Sequence, residues 1–320
     1  MRLLIICLIF SLSAAAQSEA DYYTISTIPV PKNIILEAGG ISTLPDGSVA
    51  VGTRHGEIWI VKDSVFKKFG SGLHEILGLA YKDGAIYTVQ RSELTKITDI
   101  DNDGKADKYE TVYRWPISGN YHEYSYGPVI APDGSMFVTT NVAFEDYDPL
   151  RARSWVPWRG WTLRITPDGK MEPWATGMRS PCGTGWIDSS FFYADNQGDW
   201  IGSGGLVQVN KGDFTGNPAG LDWANDPLSP VKVRKRDIYS RVDAQEVPIG
   251  GPYPNPVNKE NERGQRLYEI AEQVPGVKTP AVWLPHGVLG ISLSDIFTDS
   301  TSGKFGPFAG QVFIGDMGQS

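Results

Sequence analysis

The chain has 320 residues, with 36 glycines, 22 prolines, 10 tryptophans and a net charge of −8. The acidic balance argues against nucleic acid as a partner, because phosphate contacts need a basic face. The glycine and proline content suits turn-rich β-structure rather than a helical bundle, and the length is enough to bury one substantial core.

Residues 1–16 read as a secretory signal. Arg2 is the positive start, Leu3 to Leu12 form a short apolar stretch, and Ala14, Ala15 and Ala16 offer a small-residue cleavage site before Gln17. The stretch is too short to span a bilayer and no second apolar run follows. The expectation is a periplasmic or secreted protein with no membrane span in the mature chain. Cys7 goes with the signal and leaves Cys182 as the single cysteine, so no internal disulfide is expected.

Residues 17–320 read as one all-β domain. Ser48 to Gly52 and Glu57 to Lys62 alternate with period 2 around a turn at Arg54-His55-Gly56, which predicts a hairpin. Asp-Gly turns recur at Asp46-Gly47, Asp83-Gly84 and Asp133-Gly134, each followed by an apolar run. A fourth, Asp168-Gly169, links Trp161–Thr166 to the next strand, and a degenerate copy falls at Asp188 to Ala194. Units of about 40–50 residues with two to four strands each are the pattern of propeller blades, and their repetition favours a propeller over a β-sandwich. The polar, proline-rich stretch 222–282 reads as a long insertion between blades. Its basic cluster, Lys232 to Arg236, reads as a solvated loop, and Glu260 to Gln273 is its best helical candidate, with Leu267, Ile270 and Ala271 on one face. The stretch 310–320 reads as the first strand of a hairpin without its return strand. From it the propeller is expected to be incomplete at the C-terminus, its last blade truncated.

Asp99-Ile-Asp-Asn-Asp-Gly-Lys-Ala-Asp-Lys-Tyr-Glu110 fits the twelve-residue calcium loop. Asp99, Asp101 and Asp103 stand at positions 1, 3 and 5, and Gly104 provides the sharp turn at 6. Lys105 offers its backbone carbonyl at 7, Asp107 stands at 9 and Glu110 at 12. Its flanks are β-like, so a bound Ca²⁺ is expected to staple a hairpin.

Four segments resemble the soluble quinoprotein glucose and sorbosone dehydrogenases and the related bacterial dehydrogenase-type propellers often fused to a cytochrome c. They are Gly72 to Ala80, Gly119 to Gly134 with Met136 to Thr140, Gly177-Met-Arg-Ser-Pro-Cys-Gly183, and Tyr193 to Asp199 followed by Gly205 to Asn210. The resemblance implies a six-bladed β-propeller that oxidises a small-molecule sugar or alcohol with pyrroloquinoline quinone (PQQ) and passes electrons to a separate cytochrome c. This chain has no Cys-x-x-Cys-His for a haem of its own. PQQ has three carboxylates and an electrophilic carbonyl, so it needs cationic clamps, a metal and a base.

By the same resemblance His122 is the general base and Arg179 a cofactor-binding arginine. Gly198 and Asp199 hold a site calcium through backbone carbonyls. Ser180 stands where the family has asparagine. His74 and Asn196 are expected to line the same central cavity, with His286 joining from the next blade and the calcium loop projecting from a rim away from it. On the residues alone, His122 is either the base or a buried hydrogen-bonding histidine, and Arg179 either a clamp or a blade-junction arginine. Two other functions fit the pattern: a non-catalytic carbohydrate-binding propeller and a calcium-dependent lactonase-type hydrolase.

Overall fold

A computed structural model of the chain describes residues 22–143, 154–198, 200–242, 264–307 and 309–318. The stretch 1–16, read from the sequence as a signal, lies outside these residues. The first antiparallel sheet is β1 (Ala38–Thr43), β2 (Val49–Thr53), β3 (Ile58–Lys62) and β4 (Val65–Gly70). The second is β5 (Leu79–Lys82), β6 (Ala85–Val89), β7 (Glu93–Thr98) and β8 (Lys108–Arg114). The third is β9 (Ser125–Ile130), β10 (Met136–Thr140), β11 (Trp161–Ile165) and β12 (Met171–Thr176). The fourth is β13 (Gly183–Ile187), β14 (Ser190–Asp195), β15 (Gly204–Val209) and β16 (Val282–Leu284). A last sheet has two strands, β17 (Leu293–Thr298) and β18 (Val312–Asp316).

Each four-stranded sheet is a meander in sequence order. Its first-to-second and third-to-fourth connections therefore lie at one end. Its second-to-third connection, and the chain's exit to the next sheet, lie at the other. The Asp-Gly turns occupy the first end. Gly47, Gly84, Gly134 and Gly169 all take positive φ there, as tight hairpin turns require.

First strands of successive sheets lie side by side, and glycine sets how closely. A Cβ on Gly78, at φ +149°, would stand 2.0 Å from the Gly127 carbonyl oxygen. One on Gly40 would stand 2.6 Å from the Gly78 Cα, and one on Gly183 2.0 Å from the Ser294 carbonyl oxygen. Backbone thus packs on backbone where the first sheet meets the second, where the second meets the third, and where the fourth meets the last.

The sheets bury both faces, so inner strands read as apolar runs. Met136 and Val138 of β10 enter the main core with Leu94, Trp161 and Leu163, while Phe137 turns to the other side and stacks on Phe191 at 5.0 Å. Burying each such side chain contributes about 1.5–3 kcal/mol.

Between β15 and β16 the chain runs along the outer edge of β12. Phe214 bridges to Thr176, and the amides of Gly212 and Thr215 donate to the carbonyls of Trp174 and Thr176. A short 3-10 helix (Pro218–Trp223), α1 (Lys235–Tyr239) and α2 (Leu267–Gln273) follow. The basic cluster is not a solvated loop. It opens α1, with Val231, Val233 and Ile238 buried in the main core and Lys235 paired to Asp222 at 2.7 Å.

Six blades are not what the described residues form: they make four four-stranded sheets and one two-stranded sheet. Turn spacing marks where a unit starts but does not count units. Much of the stretch between β15 and β16 builds edge cover and helices rather than blade strands. The reading of 310–320 as a first strand without a return strand is corrected too. The strand at 312–316 is no unpaired first strand, because β18 pairs antiparallel with β17, Phe297 facing Phe313. No helix among the described residues is long and apolar enough to cross a membrane.

Candidate functional site

His122 sits in the connection from β8 to β9, which carries it to the end opposite the Asp-Gly turns. Buried Glu123 shapes this loop by accepting the amides of Ser118 (2.7 Å) and Gly119 (2.9 Å). Arg91, from the β6–β7 connection, donates Nη2–H to the carbonyls of Asn120 (2.8 Å) and Tyr121 (2.9 Å) and Nη1–H to Glu75 (3.1 Å). The imidazole is held at both nitrogens: Nδ1 lies 2.8 Å from the Val142 carbonyl and Nε2 2.9 Å from Ser180 Oγ. Val142 belongs to the β10–β11 connection and Ser180 to the β12–β13 connection, so two further loops converge on one ring.

Arg179 and Ser180 are anchored through their backbone. The Asp195 carboxylate, closing β14, accepts the amides of Arg179 (2.8 Å), Ser180 (2.9 Å) and Asn196 (2.9 Å). Burial pushes its carboxyl above the usual range and the amides pull it back, with burial the stronger. The Arg179 side chain lies over Gly198, where a Cβ would stand 2.3 Å from Arg179 Cδ, and its Nη1 donates to Ser180 Oγ at 3.3 Å. Asn196 Oδ1 accepts the Leu293 amide at 2.8 Å and ties the set to β17. Arg179, Asp195, Asn196 and Gly198 line a cavity of about 20 Å³, room for about one water molecule. Asp199 lies outside the described residues.

His122, Arg179, Asn196 and Gly198 are thus joined in one set, through Ser180 and Asp195. Asp195 was not read from the sequence. The available signal was an acid closing the apolar run Phe191 to Ala194 directly before Asn196. His74 comes from the β4–β5 connection at the same end. It lies 3.8 Å from Glu75, which also pairs with Arg54 at 3.2 Å and with Arg91. A chain of contacts through Glu75 and Arg91 leads from His74 to the loop of His122. His286 lies beside Asp316. Cys182 is flanked by Asp195 and Asp295, and burial first, then these carboxylates, pushes its thiol up to about 11.

Arg159 also escaped sequence reading. It is fully buried, with Nη1 on Ser125 Oγ (3.0 Å) and on the Arg91 carbonyl (3.3 Å). Burial lowers its pKa to about 10, so it stays charged at neutral pH beneath the His122 loop.

The acidic loop joins β7 to β8, at the end of the second sheet opposite His122. Carboxylate oxygens of Asp99, Asp101 and Asp107 lie within 4.8 Å of one another, an arrangement compatible with a metal ion. Asp99 Oδ1 is buried without a hydrogen-bond partner, whereas Oδ2 accepts the Gly104 amide at 2.9 Å. The carboxylates of Asp103 and Glu110 are not in that group. Asp103 lies 3.5 Å from Lys105 Nζ, and Glu110, on β8, pairs with Lys108 at 2.7 Å. A cleft of about 710 Å³ between the first two sheets opens beside Asp99, Asn102 and Gly104.

No protein-family model and no curated protein matches the chain. Solved structures do. A glucose dehydrogenase is 13% identical with a TM-score of 0.57, covering 89% of this chain and 81% of that one. The soluble aldose sugar dehydrogenase of Escherichia coli, in its apo-form, is 14% identical with a TM-score of 0.54, covering 88% and 81%. The PQQ-bound aldose sugar dehydrogenase of Streptomyces coelicolor is 20% identical with a TM-score of 0.47, and the match spans 56% of this chain and 62% of that one. At these identities the likeness of the first two is one of fold: an all-β, propeller-like arrangement of sheets.

Proposed function

We propose that the chain is an exported, quinone-dependent dehydrogenase of sugars or other alcohols, with His122 as the base. The observation that supports this best is the joining of His122 to Arg179 through Ser180 at the end where the sheet-to-sheet connections gather. A base joined through one hydroxyl to a guanidinium is a pairing that suits alcohol oxidation by an anionic quinone.

The residues present fit pyrroloquinoline quinone in their chemistry. Arg179 offers a planar fork to a carboxylate, and Gly198 leaves its stem room. Arg54, half exposed and sharing Glu75 with Arg91, is a second cation at the same end. Backbone carbonyls at Gly198 and Asp199 are the proposed ligands of a site calcium. When bound, the quinone supplies the electrophilic carbonyl that accepts hydride. His122 takes the proton of the substrate hydroxyl at Nε2, while its Nδ1–H stays on the Val142 carbonyl and keeps the ring oriented. Asp195 holds Arg179 and Ser180 in register. A separate cytochrome c is the proposed electron acceptor. A second calcium is proposed in the acidic loop, on the group Asp99, Asp101 and Asp107.

The test is calorimetric and kinetic. The full chain is titrated with the quinone in calcium, then assayed for sugar-dependent reduction of an artificial acceptor. His122→Asn should lower turnover by about 10²–10⁴-fold and leave quinone affinity unchanged. Absence of quinone binding by the parent would end this reading.

A further inference from the structure

We propose that Ser180 is the positioning residue of His122: the Val142 carbonyl sets which imidazole nitrogen carries the proton, and Ser180 fixes the direction of the other nitrogen's lone pair. This rests on the reading of His122 as the base, and the argument is one of donors and acceptors. The Val142 carbonyl can only accept, so at 2.8 Å it requires a proton on Nδ1. In the neutral ring that leaves a lone pair on Nε2, 2.9 Å from Ser180 Oγ. Ser180 Oγ already receives an N–H from Arg179 Nη1 at 3.3 Å, which leaves its own single proton to be given to Nε2. The hydroxyl is not free to wander. The Ser180 amide donates to Asp195 at 2.9 Å, its carbonyl accepts the Cys182 amide at 2.7 Å, and the residue is 7% exposed.

The ring is therefore pinned in the Nδ1–H tautomer from two sides by groups of different connections. A carbonyl partner alone would orient the ring about one bond. The second partner fixes the direction of the Nε2 lone pair, the atom that must meet a substrate hydroxyl. Ser180 donates to that nitrogen until a substrate hydroxyl takes its place, so the neutral base is oriented and in one tautomer before substrate arrives.

Imidazole ¹⁵N shifts of the full chain, without quinone, provide the test. The chain has four histidines, so His122→Asn assigns the resonances. In the parent, His122 should show a protonated Nδ1 and a bare Nε2 across neutral pH. Ser180→Ala should leave Nδ1 protonated and move the Nε2 shift to that of a lone pair without its Ser180 donor, and Ser180→Thr, which keeps the hydroxyl, should restore the parent pattern. In the quinone-loaded protein Ser180→Ala should lower kcat about tenfold with KM unchanged. A parent spectrum with the proton on Nε2, or a Ser180→Ala spectrum identical to the parent's, overturns the proposal. If Ser180→Ala does not fold, the parent tautomer and the Ser180→Thr spectrum still decide it. Because the shifts are read without cofactor, loss of the dehydrogenase reading leaves this result standing, and the reverse.

Discussion

Arg91 Nη1 lies 3.1 Å from Glu75 Oε2, and both side chains are under a fifth exposed. This pair joins the connection between the first two sheets to the hairpin whose arginine also holds the loop of His122. Arg91→Ala removes the ion pair, strands the carbonyls of Asn120, Tyr121 and Glu123, and leaves the Glu75 carboxylate without one of its two arginines. It should destabilise the protein by about 2–4 kcal/mol, read as a lower urea midpoint at unchanged slope. Arg91→Lys should recover only part of this, because an ammonium cannot span the carboxylate and the carbonyls together. An unchanged midpoint in Arg91→Ala would show that the junction is held without it.

The Cys182 thiol ionises near 11 in the fold and 9 outside it. Below 9 both states are protonated and the contribution of this group to stability is fully present. As pH rises from 9 through 11 the unfolded chain releases its proton first, and that contribution is lost. A thiol-disulfide reagent at pH 8 should therefore react slowly with the native protein and rapidly once it is unfolded in guanidinium. Fast native labelling at pH 8 contradicts a buried, protonated thiol.

Gly198→Ala places a methyl 2.3 Å from the Arg179 stem. The arginine is flexible and can move, so the melting temperature should hardly change. Its guanidinium, however, leaves Ser180 and the proposed carboxylate. Quinone affinity should fall about tenfold, which is about 1.4 kcal/mol, in titration calorimetry. Equal affinity in the variant removes Arg179 from the cofactor site.

Chelation should lower the melting temperature of the calcium-loaded protein, since a ligand bound only by the native state at 100 times its Kd stabilises it by about 2.7 kcal/mol. The double substitution Asp99→Ala and Asp101→Ala takes two of the three grouped carboxylates and should abolish the chelator effect. Asp103→Ala, whose carboxylate faces Lys105 instead, should retain it. A parent insensitive to chelator makes the loop an acidic turn.

Hairpins were legible because Asp-Gly turns and period-2 runs are local, and Asp46-Gly47 and Arg54-His55-Gly56 fall at the ends of β2. The number of sheets was not, since it depends on how the stretch between β15 and β16 is spent. That stretch runs along β12 through amides of Gly212 and Thr215, which no periodicity announces. His122, Arg179 and Gly198 were singled out by resemblance and Asn196 by the register of the blades, and the structure brings the four together. What joins them was not legible. The partner of Nδ1 is a backbone carbonyl, which every residue has, and Asp195 acts on amides next to Arg179, 16 residues before it in the chain. Glu110 was assigned by spacing to a metal, yet a lysine two residues away competes for it.

The contact of Gly78 with the Gly127 carbonyl makes the spacing between the second and third sheets a matter of bare backbone, with no side chain to compress or repack. It works as a fixed shim. A single methyl there would act as a wedge and turn the two sheets apart about their inner strands. The Arg91 bonds to the Asn120 and Tyr121 carbonyls span the same gap at the open end, where the same rotation gives the larger displacement. A change at the axis of the sheets would thus be felt first as a misplaced imidazole, well before the core came apart.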